Sequence, residues 1–158
     1  MPSLPRAQGI NLFRQWLRVY TRPMENVALP ADFDAIARVL ASDEDLRFAI
    51  LFGSLATGRA GPDSDLDVAV FATGPLDAER KIALIARLAE ITGRPVDLLD
   101  LRTAGVLVTR EALTRGRLLF CRDRSAYREL AARTVIDAAD FLPYVERLLR
   151  ERRSAWIG

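Results

Sequence analysis

The chain has 158 residues, half of them hydrophobic, with 23 basic and 21 acidic side chains, a net charge of +2, one cysteine and no histidine. That length suits one domain, which buries roughly 70% of the surface its unfolded chain exposes. The missing histidines exclude Ser-His-Asp triads and histidine general bases, the lone Cys121 excludes an internal disulfide and argues against structural zinc, and the balanced charge does not describe a nucleic-acid coat.

The first 24 residues carry Arg6, Arg14, Arg18 and Arg22 and no acid, while Ile10, Phe13, Trp16, Leu17 and Tyr20 recur at helical spacing. Residues 1–30 therefore read as a basic amphipathic extension that packs its aromatic stripe on the domain. A transit peptide, a membrane-surface contact or a docking segment are its functional alternatives. No apolar run approaches the length of a membrane-spanning helix and no secretory core is present, so a cytoplasmic protein without membrane contact is expected.

From residue 31 to 158 the pattern is that of one domain with a helical tail. "ADFDAIARVLAS" is a helix with Phe33, Ile36, Ala37 and Leu40 on one face. "LRFAILFG" is a strand ending at Gly53, "SLATG" a turn or short helix start, and "RAGPDS" a loop rich in breakers. "DLDVAVF" is a second strand at about 65–72. "PLDAERKIALIARLAEITG" is a helix with Pro75 at its start and Gly93 at its end. "PVDLLDL" is a third strand, "TAGVLVTREALTRG" a helix ended by Gly116, and "RLLFCR" a fourth strand in which Cys121 is a small buried hydrophobe. The remainder is helical, with Pro143 as a break or kink. The order predicts a small mixed α/β domain around four strands.

The second strand carries the chemistry. Side chains alternate faces along a strand, so Asp65 and Asp67 point the same way with Cα atoms about 6–7 Å apart, and Leu66, Val68 and Val70 face the core. Two carboxylates at about 4 Å repel by roughly 4 kcal/mol at an effective dielectric near 20. Either one keeps its proton or the two share cations, and a magnesium pair about 3.5–4 Å apart resolves the repulsion and also binds a triphosphate. Gly53 permits a close backbone approach to phosphate, and Ser54 opens a short helical turn whose free N–H groups and hydroxyl suit an anion. On the third strand Asp97 and Asp100 face opposite sides. Asp97 is framed by buried neighbours as Asp65 and Asp67 are, and is the preferred third acid, acting as base or as metal ligand. Asp100 suits a helix cap. Singly, each of these features is ordinary strand-edge or turn surface; their ordered combination is specific.

Gly53-Ser54, ten residues, Asp65-Leu66-Asp67 and then "VDLLDL" resemble the nucleotidyltransferase superfamily that includes DNA polymerase β. More narrowly, the chain resembles the minimal nucleotidyltransferase (MNT) antitoxins of HEPN/MNT toxin–antitoxin pairs, over about residues 31–153. The resemblance implies a nucleotidyltransferase fold, with Gly53 and Ser54 holding the triphosphate of ATP and Asp65, Asp67 and Asp97 binding Mg2+. It implies transfer of AMP from ATP to a tyrosine of a HEPN ribonuclease toxin, which would be the partner in a heteromeric complex. Arg59, after Gly58, is a further candidate for phosphate contact, with plain solvation as its alternative. An acceptor hydroxyl on a small molecule such as an antibiotic, and an antitoxin that acts by binding alone, are the competing readings. An RNA-directed role is weaker, since no aromatic–basic interleaving falls on a strand.

Overall fold

The computed structural model describes residues 31–139; the basic extension expected at 1–30, the break at Pro143 and the rest of the C-terminal tail lie outside them. The described elements run α1 (Ala31–Ala41), β1 (Leu46–Leu51), α2 (Gly53–Thr57), β2 (Leu66–Ala72), α3 (Ala78–Thr92), β3 (Val96–Asp100), α4 (Val106–Arg115) and β4 (Arg117–Cys121). A helix described over 124–139, α5, follows. The strands form one mixed sheet in the order β3-β2-β1-β4: β1 is antiparallel to both β2 and β4, and β2 is parallel to β3. This is the α/β mixed four-stranded sheet expected from the element order.

Period-two alternation gives the sheet two apolar faces. Leu66, Val68, Val70 and Ala72 of β2 and Leu98 of β3 pack beneath Ile36, Ala37 and Leu40 of α1 and Leu84 and Leu88 of α3. Phe48, Ile50, Ala69 and Leu99 face the opposite way, against Ala112 and Leu113 of α4 and Tyr127, Leu130 and Ala131 of α5. A register shift between Leu46 and Phe48 lets Leu46 and Ala49, three apart, reach the same core. Phe48 stacks on Phe71 with ring centroids 4.9 Å apart and meets Tyr127 edge-on at 5.2 Å, an arrangement that favours aromatic pairs beyond their buried area. Each face thus has its own core, and the sheet's polar residues are left at its margins.

Local chemistry sets the helix ends. α3 begins at Ala78 rather than at Pro75, because Asp77 caps it by accepting from the Arg80 N–H at 2.8 Å. Gly93, at φ 64°, closes it in the left-handed conformation. Asp123 caps α5 through the Ala126 N–H at 2.9 Å. Arg80 then binds α3 to the turn after α1. It forms a very short ion pair with Asp43 and a second pair with Asp45 at 2.9 Å. Burial alone would raise the Asp43 carboxyl, but the Arg80 hydrogen bond and charge, with backbone donors, hold it below the ordinary carboxylate value. Cys121 is half-buried rather than fully enclosed, and burial pushes its thiol above the usual value.

Candidate active site

The expected acids lie at or just before the starts of the parallel strands β2 and β3. β2 and β3 pair in register so that Asp67 stands opposite Asp97. Both follow the alternation that puts Leu66, Val68 and Leu98 in the core below, so both carboxylates project on the α4/α5 side. Asp97 is exposed and Asp67 half-buried. Asp65 is exposed and stands one residue before β2 rather than inside it. The ladder starts at Leu66, whose N–H donates to the Pro95 carbonyl at 2.8 Å.

Gly53 and Ser54 begin α2, separated from β1 by Phe52 alone. Gly53 has φ +68°, a conformation that side-chain-bearing residues rarely adopt. Its neighbour is Asp67: a β-carbon at position 53 would lie 2.0 Å from Asp67 Oδ2 and 2.8 Å from its carboxyl carbon. The Phe52 N–H also donates to the Asp67 carbonyl at 3.0 Å. The left-handed backbone favours glycine here, and any side chain would also have to push the Asp67 carboxylate aside, reasons distinct from the phosphate approach that its spacing suggests. Ser54 is half-buried on the first turn. The Gly58 and Arg59 N–H groups both donate to the Ser54 carbonyl, which closes the turn and leaves Arg59 exposed.

Asp100 is separated from this group, as the three-residue spacing requires. It is 7% exposed, on the other face. Its Oδ2 accepts from the Leu76 N–H and its Oδ1 from the Arg102 N–H, both at 2.9 Å. It caps the turn that follows β3 and fixes the loop before α3. It is not the cap of α4, which starts at Val106 behind Gly105. The two aspartates of "VDLLD" thus divide into an exposed acid and a structural one.

Like charges crowd Asp67. Burial first, then the charges of Asp97, Asp65 and Glu111, raise its carboxyl above the ordinary value. Glu111, an exposed residue of α4, has no sequence signal tying it to the strand acids; only the packing of α4 over this face brings its charge to bear. Among the described residues no three His, Cys, Asp or Glu side chains stand close enough to hold a metal ion as they are. The fit to Mg2+ is instead one of chemistry. The donors are all carboxylate oxygens, the ligands hard divalent cations prefer, and a shared cation would relieve the crowding that disfavours the charged form of Asp67.

The profile of the family described as Polymerase beta, Nucleotidyltransferase matches residues 34–125, from α1 through β4 and onto α5. The protein adenylyltransferase MntA of Shewanella oneidensis is 36% identical over 75 residues, which are 48% of this chain and 54% of that relative, so the match spans about half the relative's length. A crystal structure of a toxin–antitoxin with AMP-PNP superposes with a TM-score of 0.69 at 25% identity, over 77% of this chain and 98% of the other. The fold also matches, at a TM-score of 0.65 and 24% identity over 77% of this chain and 96% of the other, a structure of a tri-AMPylated S. oneidensis HEPN toxin in complex with its MNT antitoxin.

Proposed function

We infer, because this chain belongs to the polymerase beta nucleotidyltransferase family, that it transfers AMP from ATP to a tyrosine hydroxyl of a HEPN ribonuclease toxin and so acts as that toxin's antitoxin. The adenylyltransferase name of its 36% identical relative supports this reaction. So does the AMP-PNP of the 25% identical toxin–antitoxin structure. The observation that carries most weight is the Asp67–Asp97 register beside the Gly53–Ser54 turn, which joins an acid pair to a candidate phosphate grip.

In this reading the Gly53–Ser54 turn binds the triphosphate tail through backbone N–H groups and the Ser54 hydroxyl. Asp65, Asp67 and Asp97 would hold Mg2+, with two ions expected. When bound, the metal supplies positive charge for the phosphates and for the departing pyrophosphate. The tyrosine oxygen forms a bond to the α-phosphorus, the bond from that phosphorus to the bridging oxygen of the β-phosphate breaks, and pyrophosphate leaves. A tyrosine hydroxyl holds its proton to a pH of about 10. In this reading Asp97, exposed near the start of β3, accepts that proton as the new bond forms. A bulky anion on the toxin would then obstruct its RNA site. The need for ATP fits a cytoplasmic setting, and among the described residues no helix is long and apolar enough to cross a membrane.

The test is the intact mass of the toxin co-expressed with this chain. Addition of one or more AMP units that requires ATP and Mg2+, and that disappears with Asp65→Asn plus Asp67→Asn, supports the reading. Neutralisation that survives the double substitution, with no added mass, would establish an antitoxin that works by binding alone.

A further inference from the structure

We propose that Arg94 is a positioning residue for Asp65, and that it sets how tightly the acid group takes up a divalent cation. The inference deepens, and rests on, the reading of Asp65, Asp67 and Asp97 as a metal-binding set.

Asp65 sits on an exposed stretch, yet its flanks are held from one place. Residues 61–64 form a tight turn with Pro62 at its second position, where the fixed φ of proline is favourable. The Ser64 N–H donates to the Gly61 carbonyl at 3.2 Å, and the Gly61 N–H donates to Ser64 Oγ at 2.8 Å. Half-buried Arg94, two residues before β3, directs Nη1 at three carbonyls of this segment: Gly61 at 3.2 Å, Pro62 at 3.1 Å and Ser64 at 2.8 Å. The next residue, Pro95, accepts from the Leu66 N–H at 2.8 Å. The residues on both sides of Asp65 are therefore bound to the same dipeptide, Arg94-Pro95. That dipeptide leads directly into the strand carrying Asp97, so one anchor fixes the position of Asp65 relative to Asp97.

A cation bridging Asp65 and Asp67 must otherwise order the loop on which Asp65 is carried, and that entropy is charged against binding. Arginine suits the task because its rigid, planar guanidinium carries Nη1 one bond further from the backbone than a lysine ammonium reaches, and that one nitrogen makes all three contacts. Groups that orient a metal ligand without touching the metal typically change affinity about 10–100-fold when removed.

Electrostatics gives this proposal a sign. Arg94 is itself a cation near an acidic cluster, so deleting its charge should by itself strengthen Mg2+ binding. Positioning demands the reverse. Calorimetric titration of the full-length chain with MgCl2 reads the difference directly. For Arg94→Gln we expect affinity about tenfold weaker, unchanged circular dichroism, and AMP transfer whose magnesium requirement rises while saturating Mg2+ restores the maximal rate. Affinity equal to or tighter than wild type overturns the proposal. Should Arg94→Gln fail to fold, Arg94→Lys decides: it retains the charge but ends one bond short of the Nη1 that reaches the three carbonyls, so weaker Mg2+ binding supports positioning and wild-type binding refutes it. A wild-type chain that binds Mg2+ but adds no AMP to its toxin would sink the proposed reaction, while the titration would still judge Arg94.

Discussion

Gly53 and Asp67 occupy one another's space: the β-carbon that any other residue would place at position 53 falls 2.0 Å from Asp67 Oδ2. The turn that opens α2 is therefore fitted against the acid of β2, and a side chain added at position 53 would have to push the Asp67 carboxylate aside.

Gly53→Ala is expected to cost about 1–2 kcal/mol from the left-handed backbone alone, plus whatever is spent moving the Asp67 carboxylate aside. AMP transfer should be lost together with the stability. Urea denaturation and a transfer assay on the same sample check this, and an alanine variant with wild-type values in both would remove the glycine from the site.

Asp67→Asn should stabilise the metal-free protein while abolishing transfer. The folded-state carboxyl is raised, so its ionised form costs stability above the folded pKa, and that cost is absent below the unfolded value of about 3.9. The variant's advantage should thus be present at neutral pH and vanish as the pH falls through that range. Conversely, Mg2+ should raise the melting temperature of the wild type, by an amount equivalent to about 2.7 kcal/mol at a hundredfold excess over Kd, and should do far less for the variant. Thermal melts between pH 3 and pH 7, with MgCl2 or with chelator, measure both effects; a variant less stable than wild type at pH 7 contradicts the assignment.

Asp97 and Asp100 should separate cleanly. Asp97→Asn is expected to leave the fold intact and lower transfer by more than the roughly 10–100-fold typical of residues that only orient a metal ligand. Asp100→Ala should instead cost about 1–3 kcal/mol, because it strands the Leu76 and Arg102 N–H groups. Transfer per folded molecule should change little. Denaturation midpoints beside rates corrected for folded fraction would reveal the opposite pattern if the roles were exchanged.

Arg80→Ala is expected to destabilise the chain by about 1 kcal/mol at neutral pH, the upper end for partly exposed ion pairs. Asp43 is lowered in the folded state, so the stability it contributes is present above its unfolded pKa and is lost as the pH falls through the folded one. The gap between wild type and variant should close in acid, which stability curves at several pH values would display. A gap independent of pH would mean that Arg80 acts through packing.

Most of the fold is legible along the chain because buried strands advertise themselves by alternation. Leu66, Val68 and Val70 mark the inner face of β2, and that assignment alone turns Asp65 and Asp67 outward together. The three-residue spacing of Asp97 and Asp100 likewise divides exposed from buried acid. What escapes the sequence is contact across distance. The reach of Arg94 to Ser64 spans 30 residues, and the charge of Glu111 acts on Asp67 only because α4 lies over that face. The start of α3 shifts from Pro75 to Ala78 because a capping side chain outweighs a favourable proline. The demand on Gly53 is invisible too, since nothing in a linear pattern reports that a carboxylate fills the volume of its missing side chain.

The alternation along β2 has an evolutionary side. Cohesion of the domain is entrusted to Leu66, Val68 and Val70, whereas Asp65 and Asp67 stand on the opposite side of the same ribbon and contribute no cohesion. A lineage can therefore shed its acids by drift and still inherit an intact fold. Descendants of such a scaffold would be inert look-alikes, recognisable only by the amide or alanine where a carboxylate once stood.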